Sequence, residues 1–269
     1  MKLLPFILSV LLILFRYYPT SAADEVAVNS ALTVQTVMAE SVANPEKRFC
    51  EHYNDLNNRI RDGLVTRAAA ASEIKRLLGE IRPQYYRQGG EEYPRSVWIF
   101  PLAGYGIRAI DVGLNHGYIA KGYDFFSGNR HGGHPSLDIF IIDRNQDQLD
   151  DRSGRPVTVL SMTGGIVVAV ENTWEKGSWL RGGKYIWIYD TTNDLLVYYA
   201  HNNELFVKLG DMVKPGDRLA TVGRSGYNAG KRRSPTHLHL TVLQVKGGRP
   251  QPVDVFAWLR KARVLPSLN

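Results

Sequence analysis

Hydrophobic and polar positions divide this chain into three regimes. Leu3 to Phe15 is an uncharged, mostly apolar run of 13 residues behind Lys2, with Ser21-Ala22-Ala23 following it. Thirteen residues are too few for an ordinary membrane span but suit the core of an export signal over residues 1–23. Residues 24–44 are small, polar and Val/Thr-rich without a period, and predict a linker or loosely ordered arm. From Phe49 to Arg82 apolar residues recur at helical spacing, with Tyr53, Leu56 and Ile60 on one face and Ile74, Leu77, Leu78 and Ile81 resuming after Asp62-Gly63. Two short amphipathic helices are expected, stopped before Pro83 because a proline removes a helical donor. Their apolar faces require a partner, most simply the following domain. Tyr85 to Pro94, with Gly89-Gly90, reads as a connector.

Beyond residue 96 the pattern changes to strands. Trp98-Ile99-Phe100-Pro101-Leu102, Val157 to Val170, Lys184 to Tyr189, Leu195 to Ala200 and Ser234 to Leu243 are rich in alternating, β-branched and aromatic residues, with Gly-rich turns between them. Short glycine-punctuated strands are also expected from Tyr105 to Ser127, and a short terminal helix or turn within Val255 to Arg263. The fold class is therefore mainly β and antiparallel, with a small N-terminal helical segment. The division is 1–23 signal, 24–95 linker and helical segment, and 96–269 catalytic-type domain.

Charge and cysteine usage narrow the setting. The formal net charge is +7 over 269 residues, and removal of Lys2 and Arg16 with the signal lowers it to +5. A basic exported chain suits an anionic surface, and export argues against nucleic acid as partner. After signal removal no stable membrane span is expected. Cys50 is the only cysteine, so an internal disulfide and a Cys-rich zinc site are both excluded, and a packed position in a helix is expected. No cysteine adjoins the cleavage region, which argues against a lipoprotein anchor.

Chemistry concentrates in three motifs. His237-Leu238-His239 lies in a predicted strand, where side chains two apart share a face and their α-carbons stand about 6.6 Å apart. Two imidazoles so placed are either solvated or directed at one small site, and imidazole is a common zinc ligand. Upstream, His134 and Asp138 are four residues apart at the start of the apolar run Leu137 to Ile142. A straight strand would separate them by about 13 Å, too far to share a metal. Gly132, Gly133 and Pro135 instead predict a bend that folds His134 back over the strand. His201 follows the apolar run ending in Tyr199-Ala200 and marks a strand end.

His134-x-x-x-Asp138, Tyr199-Ala200-His201 and His237-x-His239, in that order, resemble the signature of the M23 (lysostaphin/LytM-type) zinc endopeptidases of bacterial cell walls. Gly210-Asp211-Met212-Val213-Lys214-Pro215-Gly216-Asp217 and Val222-Gly223-Arg224-Ser225-Gly226 are similar to that family's approach to its last strand. The resemblance spans roughly residues 96 to 259. It implies an antiparallel two-sheet, LytM-like catalytic domain with a groove. It also implies a Zn2+ ion on His134, Asp138 and His239, catalytic roles for His201 and His237, and peptidoglycan stem peptides as substrate. Spacing alone leaves open which histidine of the 237/239 pair binds metal. The alternative is a non-enzymatic, metal-free M23-like module that binds or activates another wall hydrolase. Such modules lack ligand positions, whereas all five are present here. A secreted zinc-storing or adhesive protein would explain the ligands but not His201.

Three features stand apart. His116 and His131 lack a carboxylate four residues on and are not expected to bind metal. Asp143 to Asp151 places oxygen donors at alternate positions, as a calcium loop does, but Gln148 and Gly154 occupy the positions needing glycine and an acid. A solvated acidic hairpin loop is expected. Lys231-Arg232-Arg233 departs from the family pattern before the metal strand, and is either a solvated loop or a contact for acidic substrate groups.

Overall fold

The computed structural model describes residues 47–111 and 113–267. The expected signal 1–23 and arm 24–44 lie outside the described residues. Two helices come first, α1 (Arg48–Arg61) and α2 (Arg67–Arg87). Thr66 caps α2 by accepting the Ala69 N–H at 3.3 Å. The expected stop before Pro83 is overturned, because α2 continues through it to Arg87. Ile81 on one side of the proline and Tyr85 on the other are both buried, and the Tyr85 hydroxyl donates to the Glu91 carbonyl at 2.8 Å. Tertiary packing holds the helix across the lost bond. Cys50 is buried in α1, where desolvation pushes its thiol pKa up to about 12.

Nine strands follow: β1 (Ser136–Phe140), β2 (Thr158–Leu160), β3 (Gly165–Glu171), β4 (Lys184–Asp190), β5 (Leu195–Leu205), β6 (Met212–Val213), β7 (Arg218–Val222), β8 (His237–Lys246) and β9 (Arg249–Pro252). A short helix, α3 (Phe256–Leu259), closes the described chain as anticipated. All strand pairs are antiparallel, in the order β1-β8-β5-β4-β3-β6, with β7 joining both β2 and β5. The expected two sheets are thus linked into one hydrogen-bonded network. The link is β5, whose first half pairs with β4 and β8 and whose end turns to β7 through an irregularity between Asn202 and Leu205. Among the described residues, no strands form from Tyr105 to Ser127. That segment is built of 3-10 turns with isolated bridges Ile110–Ile139 and Ile119–His134. Its frequent glycines favour tight turns over a continuous ladder. A strand with two prolines, β9, also forms where sequence suggested only a lead-in; it is an edge strand, where a missing N–H is tolerated.

Alternation along the strands sorts side chains into two cores. Val167, Ile186, Ile188, Val197, Tyr199, Leu238, Leu240 and Val242 face one core with Phe100, Leu102 and Val159. Ile166, Val168, Tyr185, Trp187, Tyr189, Leu196 and Leu243 face the other, which α1 and α2 cover. Covering both faces explains why β3, β4 and β5 read as near-continuous apolar runs. On β8 the helix-side positions are His237, His239, Thr241 and Leu243. The histidines therefore lie on the sheet face that the helices cover. Among the described residues, no helix is long and apolar enough to cross a membrane.

The Asp143–Asp151 loop is solvated in part, with Arg144, Asn145, Asp147 and Asp151 exposed as expected, but it is anchored at Asp143. Asp143 is buried, and accepts the N–H groups of Asp147 and Gln148 and the hydroxyl of Thr236, next to His237. With its oxygens so engaged, the acid is an anchor for the loop. Asp143→Ala leaves these donors without a partner and should destabilise the fold by about 1–3 kcal/mol. Urea unfolding measures this, and an unchanged midpoint would return the loop to the solvated reading.

Candidate metal centre

The centre is built where β1 meets β8. Their register places Asp138 directly opposite His239 and Ser136 opposite Thr241. His239 Nδ1 lies 3.0 Å from Asp138 Oδ1, while its Nε2 faces Ser136 Oγ at 2.8 Å. His134 arrives by the expected bend. Gly133 adopts φ +69, and a Cβ there would approach the Lys121 and Ile119 carbonyls to 2.7 and 2.8 Å. A two-way bridge to Ile119 then fixes the His134 backbone, and its Nε2 lies 3.4 Å from Asp138 Oδ1. His237 Nε2 is 3.7 Å from Asp138 Oδ2.

His201 sits at the bend of β5 with φ +66, a region that side-chain-bearing residues seldom occupy. This turn directs its ring towards His237 and His239, with centroids 4.9 and 5.3 Å away. Gly226 makes room for it, since a Cβ at that position would stand 2.8 Å from His201 Nδ1.

Backbone carbonyls orient the rings. His134 Nδ1 faces Gly117 O at 3.0 Å, His201 Nδ1 faces Ser225 O at 2.8 Å, and His237 Nδ1 faces Pro235 O at 2.7 Å. A carbonyl can only accept, so each Nδ1 carries the proton, and Nε2 of the neutral ring keeps its lone pair for the pocket. Hydrogen bonding of the far ring nitrogen to a carbonyl is the usual setting of metal-ligating histidine. Two groups bring ligand atoms within 4.8 Å of one another, His134/Asp138/His239 and His201/His237/His239. The donor set of imidazole nitrogens and one carboxylate fits a divalent metal of the zinc type. All five anticipated residues thus converge. His131 and His116 stay outside both groups; His131 faces the Gly132 carbonyl and His116 stacks on Phe256.

Electrostatics follow from burial. Burial alone would raise the Asp138 pKa, but hydrogen bonds and charge from His134 and His239 hold it well below the carboxylate range. Burial lowers His201 well below its ordinary value, and the charges of His237 and His239 add to this. His239 is lowered by burial against the opposing pull of Asp138. For His134 the Asp138 partnership outweighs burial and raises the pKa.

A cavity of about 280 Å³ opens over these groups. Its walls include Tyr185, Trp187 and Tyr198 from the sheet, Asn57, Ile60 and Arg61 from α1, and Arg181 from the loop before β4. Of Lys231-Arg232-Arg233, none lines this cavity. Arg232 and Arg233 are exposed, and the Lys231 ammonium lies over the Tyr227 ring at 3.7 Å. Ser136, Arg181 and the α1 residues escaped the sequence reading. Ser136 alone had a signal there, two positions before Asp138 on the same strand face.

Residues 148–254 match the profile described as Peptidase family M23. That stretch belongs to peptidase family M23. His201, His237 and His239 fall inside the M23 stretch, while His134 and Asp138 precede it. Among solved structures, the chain is similar to lytM from Ruminococcus gnavus, with 25% identity over 71% of this chain and 76% of that one (TM-score 0.42). It is also similar to the catalytic domain of the antimicrobial peptidase lysostaphin from Staphylococcus simulans, with 21% identity over 60% and 90% (TM-score 0.34). A zinc-containing peptidase from Vibrio cholerae shows 21% identity over 63% and 42% (TM-score 0.36).

The depressed His201 pKa couples this centre to stability. Unfolded His201 takes up a proton near 6.5, whereas the folded ring resists until lower pH. Its contribution is complete above pH 6.5 and is lost as pH falls through the folded pKa. The metal-free protein should therefore unfold at lower urea at pH 5.5 than at pH 7, and His201→Gln should flatten that difference. An identical pH slope in parent and variant would remove His201 as its source.

Proposed function

We propose that this chain is an exported zinc-dependent endopeptidase that hydrolyses peptide cross-links of bacterial peptidoglycan. The observation that carries this reading is the set of carbonyl-oriented histidines gathered with His239 and the half-buried Asp138 carboxylate in one open cavity, within and just ahead of an M23 stretch. His134, Asp138 and His239 are assigned to the metal. Of the two groups sharing His239, this one contains an anion able to balance a divalent cation, and it matches the family resemblance. Residues 96–269 form the proposed peptidase domain, preceded by a signal over 1–23 and a linker and helical segment over 24–95. Residues 1–23 would direct the chain to the periplasm or the exterior.

Zinc bound there would supply Lewis acidity, polarising the scissile carbonyl and acidifying a water molecule. The chain's own residues do the rest. His201, kept neutral by burial, presents Nε2 to accept a proton in the cavity. His237, fixed by the Pro235 carbonyl, presents a second Nε2 beside it. One of the two then returns a proton to the leaving amine, and protonated imidazole can donate to a developing oxyanion. The backbone contacts that hold both rings reduce the reorganisation needed at the moment of reaction.

His134→Ala, Asp138→Ala and His239→Ala should each abolish stoichiometric zinc and wall hydrolysis together, read by elemental analysis and release of soluble muropeptides. Full zinc occupancy in His239→Ala would overturn that ligand assignment. His201→Ala and His237→Ala should instead keep zinc while turnover falls about a hundred- to ten-thousand-fold. Near-parent turnover in either variant removes its proposed role. A parent protein that binds zinc yet leaves purified wall intact would favour the non-enzymatic module.

A further inference from the structure

Two arginines line the cavity over the metal centre, and their surroundings differ. Arg61 is neutralised, pairing with Glu171 at 3.0 Å and Asp62 at 2.8 Å. Arg181 forms no ion pair among the described residues. One of its terminal nitrogens, Nη1, donates to the carbonyls of His131 at 2.9 Å and Asn129 at 3.3 Å. Its other guanidinium donors have no hydrogen-bond partner among the described residues.

The position of Arg181 is as telling as its charge. Its neighbour Gly182 accepts the His201 backbone N–H at 3.0 Å, so the Arg181 backbone adjoins the His201 side of the cavity. The side chain crosses to the segment just before His134, where the two carbonyls hold one edge of the guanidinium. A planar cation fixed along one edge keeps its remaining donors in a fork suited to a carboxylate.

We infer that Arg181 is a substrate-recognition residue that binds a free carboxylate of the peptide whose bond is cut. This rests on the proposed peptidase reading and narrows its substrate class to peptides carrying a carboxylate close to the scissile bond, as wall stem peptides do. A purely structural role would be to tie the loop before β4 to residues 129–131. Both carbonyl contacts could then be kept by an uncharged donor. The two roles separate on charge.

The test uses the full chain, freed of zinc so that a carboxylate has no metal to ligate. Calorimetric titration compares N-acetyl-D-alanyl-D-alanine with its C-terminal amide. The parent should bind the acid at least about tenfold more tightly than the amide, the size expected of a hydrogen-bonded pair with a charged group. Arg181→Gln, which keeps a donor for the carbonyls, should erase that preference while its thermal midpoint stays near the parent's. Arg181→Lys should retain part of it. Equal binding of acid and amide by the parent overturns the inference without any variant, as does a preference that persists in Arg181→Gln. Because no turnover is read, an intact acid preference in a protein that fails to cut wall would sink the hydrolase reading alone.

Discussion

A single half-buried negative charge constrains the rest of this site. The Asp138 carboxylate is only partly in contact with water on β1 and would be unfavourable there without compensation. Three imidazoles approach it within 3.0–3.7 Å, each from a different direction. His239 comes from the opposing strand, His237 from two residues earlier on that strand, and His134 from the bend ahead of β1. The sheet register is tied to this arrangement. A one-residue slip of β8 would withdraw both histidines from Asp138 and turn Leu238 and Leu240 out of their core towards the cavity.

The same economy governs β5 and β8 as a pair. Their core-facing positions hold the sheet to the Phe100–Leu102 side, and their opposite positions supply either helix contacts or chemistry. His201 lies where β5 leaves one set of partners for another, so its strained backbone is held by ladders on both sides. The close approach of Gly226 then fills the space behind the ring. Strain kept by such surroundings, and placed next to a group of ionisable side chains, is characteristic of functional positions.

Much of this is legible in the sequence itself. His237 and His239 announce a common face through period two, and Gly132-Gly133 with Pro135 announces the bend that delivers His134. What could not be read is whatever depends on distant backbone. The carbonyls of Gly117, Ser225 and Pro235 carry no residue-specific mark, yet they set the ring protons. The continuation of α2 through Pro83 depends on burial of Tyr85, which local propensity does not contain. Asp143 resembled a surface acid because its partner Thr236 lies 93 residues away. Arg181 likewise gains meaning only from a cavity whose walls come from separate parts of the chain.

One wall of that cavity carries a consequence for how the molecule can be divided. Asn57, Ile60 and Arg61 of α1 line it, and α1 rests on the same sheet face that bears the histidines. The ionisable groups and the shape around them are thus encoded in different segments of one chain: the first in the motif-bearing strands, the second partly in helices with no motif at all. Grafting the strands onto another scaffold would carry over the chemistry but not the fit. Under the proposed function, selectivity would drift through substitutions in α1 while His134, Asp138 and His239 stay unchanged.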